Sequence, residues 1–468
     1  MKESSGVKNL LIIGAGEAGG MLLKEIKRQP DLKRNVVGFV DDAPGKKAPG
    51  EAEILGTTGE IPELIQNYEI DEVIIAIPSA PGKFIRRVTR QADRFNAKLR
   101  IIPGIREIIE GDVSWKQIRD IKAGDLLGRE VVCVDEEQIA GFLGDKTVLV
   151  TGGAGSIGGR LVKKILASPV HRVIALDINE SALYELEMTC RGSEDKDKFS
   201  PVLADIRDRA RVEQIVKEYK PDLILHAAAL KHVPMLERFP AESIKTNLGG
   251  TINVFEAARK TGVPKCLLIS TDKAVEPCNT MGLSKRVGEY LIGTYQARSS
   301  DTVYSAVRFG NVLASRGSVV PLFKKQIEQG GPVTVTDPEV VRYFMTISEA
   351  VKLVLTAATY EEKGRIYVLD LGEQVKILDL ARQLISLAGY QPGKEIEIVF
   401  NGLREGEKME EKLFTAEEEV SRTDHPLIRE IKAPVLDTAA EKKIGELIKK
   451  ADHQDTNIRE TLLSIVSS

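Results

Sequence analysis

Two stretches of this chain share one plan. "KNLLIIGAGEAGGMLLKEI" and "KTVLVTGGAGSIGGRLVKKIL" each run from a short apolar segment through a glycine-rich turn into an amphipathic segment. Apolar residues that first run together and then recur at helical spacing give a buried strand, a tight turn and a helix. Further β runs alternate with helical patterns. "NVVGFVDD" and "DEVIIAIP" follow the first turn; "RVIALDINE", "PDLILHAAA", "KCLLIST" and "YSAVRFGNV" follow the second. Such alternation builds parallel, doubly wound sheets. The expected fold is α/β: two Rossmann-like doubly wound parallel-sheet domains plus a small mixed α/β C-terminal substrate-binding region. The expected boundaries are 1–102 and 146–315 for the two domains, 103–145 for a connector packed between them, and 316–468 for the C-terminal region with its helical tail.

The totals narrow the class. With 66 basic and 69 acidic residues the net charge is −3, so no nucleic-acid partner is expected. The four cysteines, Cys133, Cys190, Cys266 and Cys278, are widely separated. They form neither a disulfide framework nor a metal-ligand pair, which points to a reducing compartment and no metal. No apolar run approaches the roughly 18 residues of a membrane span, and Glu17 interrupts the first apolar stretch. The chain is expected to be cytoplasmic and a homo-oligomer.

The two turns differ in strength. Gly14, Gly16 and Gly19 make G-x-G-x-x-G, with Asp41 and Asp42 at ribose-contact distance along the chain. The alternative is that these glycines only let helix and strand pack closely. The second turn, Thr151 to Gly158, fits T-G-x-x-G-x-x-G, with Gly152, Gly155, Ser156, Ile157 and Gly158 as candidate cofactor residues. Asp177 ends the next strand. A carboxylate there accepts from both ribose hydroxyls and repels a 2′-phosphate, so NAD is expected rather than NADP. The bland alternative for Asp177 is a helix N-cap. Asp205 and Ile206 are placed to meet the adenine side, and Ala227 and Ala228 in "HAAALKH" leave room along the cofactor path.

"LLISTDKAVEPCNTMGLSK" (267–285) leads from a strand through a loop into a helix that carries Lys285. Met281 lies one helical turn earlier on the same face. Many enzymes of this layout have a tyrosine there as proton acceptor, and a thioether cannot accept the proton.

The segment from residue 146 to about 415 resembles the extended short-chain dehydrogenase/reductase superfamily. Within it, the chain resembles the large nucleotide-sugar 4,6-dehydratases of the capsular-polysaccharide type, which act on UDP-N-acetylglucosamine. The resemblance rests on Ser270-Thr271-Asp272-Lys273-Ala274, Pro277, Asn279, Met281-Gly282 and Lys285, and on "RFGNVLASRGSVVPLF", "VRYFMTISEA" and "LREGEKMEEKL". Met281 is itself a feature of that family. Members usually carry transmembrane helices ahead of the first domain, so this chain is expected to be a soluble member or a soluble portion.

The resemblance implies NAD-dependent conversion of UDP-N-acetylglucosamine to UDP-2-acetamido-2,6-dideoxy-4-keto-hexose. C4 is oxidised, which acidifies the C5 proton; that proton is removed, water leaves from C6, and the hydride returns to C6. Thr271, Asp272, Lys273, Met281 and Lys285 are the expected catalytic set, by comparison with the Thr-Asp-Glu triplet of dTDP-glucose dehydratases. Lys273 is expected to be the base at C5, with a lowered pKa, and Asp272 the acid at C6. Lys285 is also expected on the nicotinamide ribose. Substrate contacts are expected from Lys231, His232, Asn311, Arg342, Arg404 and Glu407, with the arginines on the diphosphate. A UDP-sugar epimerase on the same fold would need a base at C4, usually tyrosine, and no acid at C6. A non-catalytic NAD or UDP-sugar sensor would leave the Thr-Asp-Lys triplet unexplained.

Overall fold

Strand Lys8–Ile13 is covered on both faces. Leu11 and Ile13 enter one apolar cluster, Leu10 and Ile12 another. A strand buried on both sides is the signature of a sheet with helices above and below. The computed structural model describes residues 7–77, 80–93, 95, 97–102, 115, 118–121, 124–125, 132–191, 196–451 and 457–467. They fall into two compact units. One comprises Met1–Val132, Val319–Val335 and Ile377–Phe400; the other comprises Cys133–Ser318, Thr336–Lys376 and Asn401–Ser468.

In the first unit the strands lie in the order Ile54–Gly56, Arg34–Val40, Lys8–Ile13, Glu72–Ile75, Lys98–Ile101, Arg119–Asp120. All but the last pair in parallel. In the second unit seven parallel strands lie side by side: Phe199–Leu203, Arg172–Asp177, Thr147–Thr151, Leu223–His226, Lys265–Ile269, Val303–Arg308 and Arg365–Leu369. Ile428–Lys432 and Ser421–Arg422 extend the edge in antiparallel. Strand order reverses about Thr147–Thr151, and the crevice at such a switch point is where α/β sheets bind ligands. The second glycine turn opens there. The two-Rossmann expectation therefore holds.

The C-terminal region, expected as one piece from 316, is divided between the units. Strands Val333–Val335 and Ile398–Phe400 pair in parallel, and Leu387, at the end of helix Ile377–Leu387, packs on the apolar cluster of the first unit. Two segments remote in sequence thus complete the first unit because their apolar faces have partners there. Most of the expected connector, 103–145, lies outside the described residues.

Beneath the Thr-Asp-Lys loop the second unit buries four charges. Arg308 is completely buried. Its Nε and Nη2 donate to Glu289 Oε1 and Oε2 at 3.0 and 2.8 Å, and Nη1 and Nη2 donate to Glu418 Oε2 and Oε1, both at 2.9 Å. Arg286 Nη1 joins both carboxylates, at 3.2 Å to Glu289 and 2.6 Å to Glu418. Burial alone would raise the Glu418 carboxyl, but Arg308 and Arg286 hold it down at about 2. A carboxyl depressed in this way adds stability above its unfolded value near 4.5, and the gain is lost as pH falls through about 2. Glu418→Gln is expected to cost about 3 kcal/mol near neutral pH and to flatten the acid side of the stability curve. Urea unfolding at a series of pH values measures both; an unchanged acid slope would show that Glu418 is not held by the arginines.

Candidate active site

The turn after Thr147–Thr151 is shaped by glycines that have no substitutes. Gly152 has φ +65°, and a Cβ there would lie 2.7 Å from the Ala228 backbone. A Cβ on Gly158 would lie 2.1 Å from the Gly152 carbonyl oxygen, so only glycine lets helix Gly158–Leu166 start this close to the strand. A cavity of about 400 Å³ opens beside the turn. Its walls include Gly152, Gly155, Asp177, Asp205, Ile206, Ala227 and Ala228, the expected cofactor residues. Ser156 and Ile157 continue the turn toward that helix. Asp177 is not a helix cap: Asn179 caps the next helix, accepting from Ala182 N at 3.0 Å. The Asp177 carboxylate instead accepts from Ala154 N at 2.9 Å and Asn179 N at 2.9 Å, at the rim of the cavity. The donor set fits a dinucleotide: a glycine turn at a helix N-terminus for phosphates, and a carboxylate for ribose. Asp205 lines the same cavity, but its carboxylate is engaged by Arg207 Nε at 2.6 Å.

Sequence reading missed Arg316. Its Nη2 donates to Ala154 O at 3.1 Å and its backbone N to Ser156 Oγ at 3.0 Å, so a residue 160 positions away braces the turn. Lys231 Nζ donates to Arg316 O at 3.0 Å, and a Cβ on Gly317 would lie 2.5 Å from the His232 ring. Lys231 and His232 thus reach the Arg316–Gly317 backbone.

At the floor of the crevice His226 is fully buried between two threonines. Thr151 Oγ1 lies 2.6 Å from Nδ1 and Thr251 Oγ1 3.0 Å from Nε2. Thr251 already donates to Asn247 O at 2.6 Å, so its oxygen must accept from Nε2–H, which fixes the tautomer. Burial, aided by Lys285, pushes this imidazole down to about 3, so it is neutral. Asn247 sits in a π-helical turn, Ile244–Gly250, and donates to Ser284 Oγ at 2.9 Å on the Lys285 helix.

The Thr-Asp-Lys loop is a 3-10 turn at the end of Lys265–Ile269. Asp272 is completely buried, so it is no surface ion pair. Its Oδ1 accepts from Thr271 Oγ1 at 2.9 Å and Lys273 Nζ at 3.0 Å; its Oδ2 has no hydrogen-bond partner. Lys273 Nζ also donates to Asn311 Oδ1 at 2.8 Å. The structure brings Thr271, Asp272, Lys273 and Asn311 into one network. It also corrects the expected pKa of Lys273. Burial alone would lower it, but Asp272 and Glu411 beside the ammonium raise it above its ordinary value.

Met281 and Lys285 lie on helix Thr280–Ala297, with Met281 buried at the first turn. Lys285 is not a solvated helix lysine. Its Nζ donates to Ile269 O at 2.9 Å, and burial pulls it down to about 8 against the opposing pull of Glu289. Arg342, expected on a diphosphate, faces inward. It is 5% exposed and makes four hydrogen bonds, to Val341 O, Met409 O, Lys408 O and Glu407 Oε1. Its charge holds the 407–409 loop. Glu407, expected to contact the substrate, pairs with Arg342 at 3.1 Å and accepts from Arg404 N at 3.2 Å. The Arg404 residue itself is exposed.

A Rossmann unit with a glycine turn, a carboxylate at the end of the next strand and a helix lysine one turn after Met281 defines a protein of the short-chain dehydrogenase/reductase type. The family model described as "Polysaccharide biosynthesis protein" matches residues 148–433, and one described as "CoA-binding domain" matches residues 2–103. The chain is 41% identical over 415 residues to the capsular polysaccharide biosynthesis protein CapD of Staphylococcus aureus, covering 88% of this chain and 69% of that protein. It is 38% identical over 288 residues to a UDP-glucose 4-epimerase of Rickettsia canadensis, covering 60% of this chain and 81% of that one. Among solved structures, Pen from Bacillus thuringiensis is 33% identical with a TM-score of 0.59, covering 63% of this chain and 91% of that chain. The chain belongs to the polysaccharide biosynthesis protein family. No helix among the described residues is long and apolar enough to cross a membrane, and those residues hold no cluster suited to a metal ion.

The unusual depression of Lys285 is open to direct measurement. In protein labelled at lysine Cε, one resonance should titrate near pH 8, well below the ordinary lysines, and vanish in Lys285→Arg. A lysine envelope with no member below its ordinary range would remove the basis for a cation that switches in this site.

Proposed function

We propose that this protein is an NAD-dependent 4,6-dehydratase of UDP-N-acetylglucosamine, giving UDP-2-acetamido-2,6-dideoxy-4-keto-hexose. The observation that carries the reading is the Asp272–Lys273 pair with Thr271, held on one loop beside the Lys285 helix. An epimerase needs no acid for C6, and a sensor needs no acid–base pair at all. The name of the Rickettsia relative favours an epimerase as second reading.

NAD would be held by Gly152, Gly155, Ser156, Ile157, Gly158, Asp177, Asp205, Ile206, Ala227, Ala228 and Lys285; it supplies the acceptor for the C4 hydride and its return to C6. The chain's own residues do the proton work. Thr271 is half-buried and meets the C4 hydroxyl; its own hydroxyl already donates to Asp272, which supplies the acceptor that Met281 cannot. Lys273 is the base at C5 and the proton for the C6 oxygen comes from Asp272. In the resting pair Lys273 is the cation and Asp272 the anion. When substrate covers the pair, Lys273 gives its proton to solvent and Asp272 takes the C4 proton through Thr271; the result is a neutral amine and a carboxylic acid 3.0 Å apart, the pair that elimination requires. Taking the C5 proton and giving one to the C6 oxygen restores the ion pair as water leaves; when the hydride returns to C6, Lys273 gives its proton back to C5, which leaves Asp272 free to take the next C4 proton. Lys285, with its ammonium form favoured below pH of about 8, eases the loss of the C4 hydroxyl proton.

Incubation with UDP-N-acetylglucosamine, read by mass spectrometry, should show loss of one water without accumulating NADH. An isomer of equal mass would identify an epimerase, and an unchanged mass would fit the sensor. Asp177→Ala should weaken NAD binding by about tenfold or more, the scale of one lost charge-assisted hydrogen bond. Lys273→Ala should abolish solvent-deuterium exchange at C5 while NAD stays bound; exchange at the normal rate would place the base elsewhere.

A further inference from the structure

One buried carboxylate beside the acid–base loop has no place in the scheme above. Glu411 comes from "LREGEKMEEKL", 138 positions after Lys273 in the chain, and is 4% exposed. Its Oε1 lies 3.7 Å from Lys273 Nζ. Its Oε2 makes no hydrogen bond and lies 3.4 Å from Lys408 Nζ. Other contacts fasten the same segment to the loop: Lys408 Nζ donates to Val275 O at 2.7 Å, Lys412 pairs with Glu276 at 3.0 Å, and Asn279 Nδ2 donates to Gly406 O at 2.8 Å. Fastening therefore does not by itself account for a carboxylate that reaches Lys273. A carboxylate buried this far is costly unless a cation answers it. The result is a row of alternating charge: Asp272, Lys273, Glu411, Lys408.

We propose that Glu411 is a positioning residue for the acid–base chemistry: it holds the Lys273 ammonium from outside the Thr-Asp-Lys triplet and sets how readily that lysine releases its proton. The groups facing Lys273 are Asp272 on its own loop, Glu411, the Asn311 amide and, with opposing sign, Arg342. Those facing Glu411 are Lys273 and Lys408. Asp272 must change its own protonation during elimination. Glu411 keeps a negative charge on Lys273 when Asp272 becomes neutral, so the lysine retains a counter-ion through the step that returns it to the ammonium form. The consequence for turnover rests on the dehydratase reading; the electrostatic relation between Glu411 and Lys273 does not.

The test measures the neutral-amine fraction of Lys273 in the full chain, as its rate of acetylation by acetic anhydride at fixed mildly alkaline pH, read on its peptide by mass spectrometry. Glu411→Gln removes the charge and keeps the shape. It should raise the Lys273 rate about tenfold, the effect of one pKa unit, while lysines elsewhere keep theirs. Lys408→Met separates charge from looseness. It loosens the same segment but leaves Glu411 acting on Lys273 alone, so the Lys273 rate should fall. A rise in both variants would mean that Glu411 only closes the segment, and an unchanged rate in Glu411→Gln would equally overturn the proposal. Should Glu411→Gln fail to fold, Glu411→Asp draws the charge back and should give a smaller rise; no rise counts against the proposal. In turnover, the acid limb of C5 exchange should move to lower pH in Glu411→Gln. If the wild-type chain neither exchanges C5 nor loses water, the dehydratase reading fails while the acetylation result still decides the role of Glu411.

Discussion

The forked pair between Arg308 and Glu289 fixes the geometry on which the second unit's chemistry depends. Both side chains are completely buried, and two parallel hydrogen bonds join the end of strand Val303–Arg308 to the Lys285 helix. Ser270 Oγ adds a third element, donating to Glu289 Oε1 at 2.7 Å from the residue before Thr271. Burying two charges costs several kcal/mol per ion, and apolar residues of similar volume often stabilise as well or better. What apolar packing does not supply is a fixed relation among two strands and a helix. Helix, loop and strand are locked in register here, and Lys285, Asp272 and Asn311 inherit their places from that lock. The same Glu289 charge reaches Lys285 and opposes the depression that burial imposes on it.

The two glycine turns share nearly the same local chemistry. In the first unit Asp41 accepts from Ala15 N at 2.8 Å and Ala43 N at 3.0 Å. In the second, Asp177 accepts from Ala154 N and Asn179 N at nearly the same distances. Each carboxylate grips its own turn from the end of the next strand. In the first unit Lys46 also pairs with Asp41 at 2.7 Å, and Asp42 is turned to Thr58 and Arg87. The difference in chemistry lies further along the chain, where only the second sequence continues into a Thr-Asp-Lys loop and a helix lysine.

That contrast explains what was legible in the sequence. Turns, strands and the carboxylates that close on them are local, so their spacing carries them. The Thr271-Asp272-Lys273 network was readable for the same reason, since three of its members are adjacent. Residues whose roles are set by partners far away were not. Arg342 looks like a phosphate ligand until Met409, Lys408 and Glu407 are seen to occupy it. Arg316, Glu411 and Glu418 were not legible because the partners that give them their roles, Ala154, Lys273 and Arg308, lie more than 100 positions away in the chain. The C-terminal region misled in the same way. Its alternation of strand and helix fits one small domain, yet two of its segments complete the first unit. A chain begun near residue 140 would leave those segments without their partners.

The burial of Asp272 bears on how a methionine can stand where a tyrosine is usual. A tyrosine meets the C4 hydroxyl directly, whereas Asp272 has no exposed atom and reaches outward only through Thr271 and Lys273. On the proposed reading that inaccessibility is useful. Ordinary aspartate and lysine pKa values near 3.9 and 10.4 place the neutral pair about 9 kcal/mol above the ion pair in water. Withdrawal from water penalises the ion pair and spares the neutral one, so the gap narrows as the site dries. Glu411 pulls the other way, holding Lys273 as the cation in the resting state. The loop is therefore poised between the two forms by opposing terms. Water exclusion when a sugar covers Lys273 favours the neutral pair, which is reached when Lys273 gives its proton to solvent and Asp272 takes the C4 proton through Thr271. The two halves of the reaction are then coupled through one carboxylate.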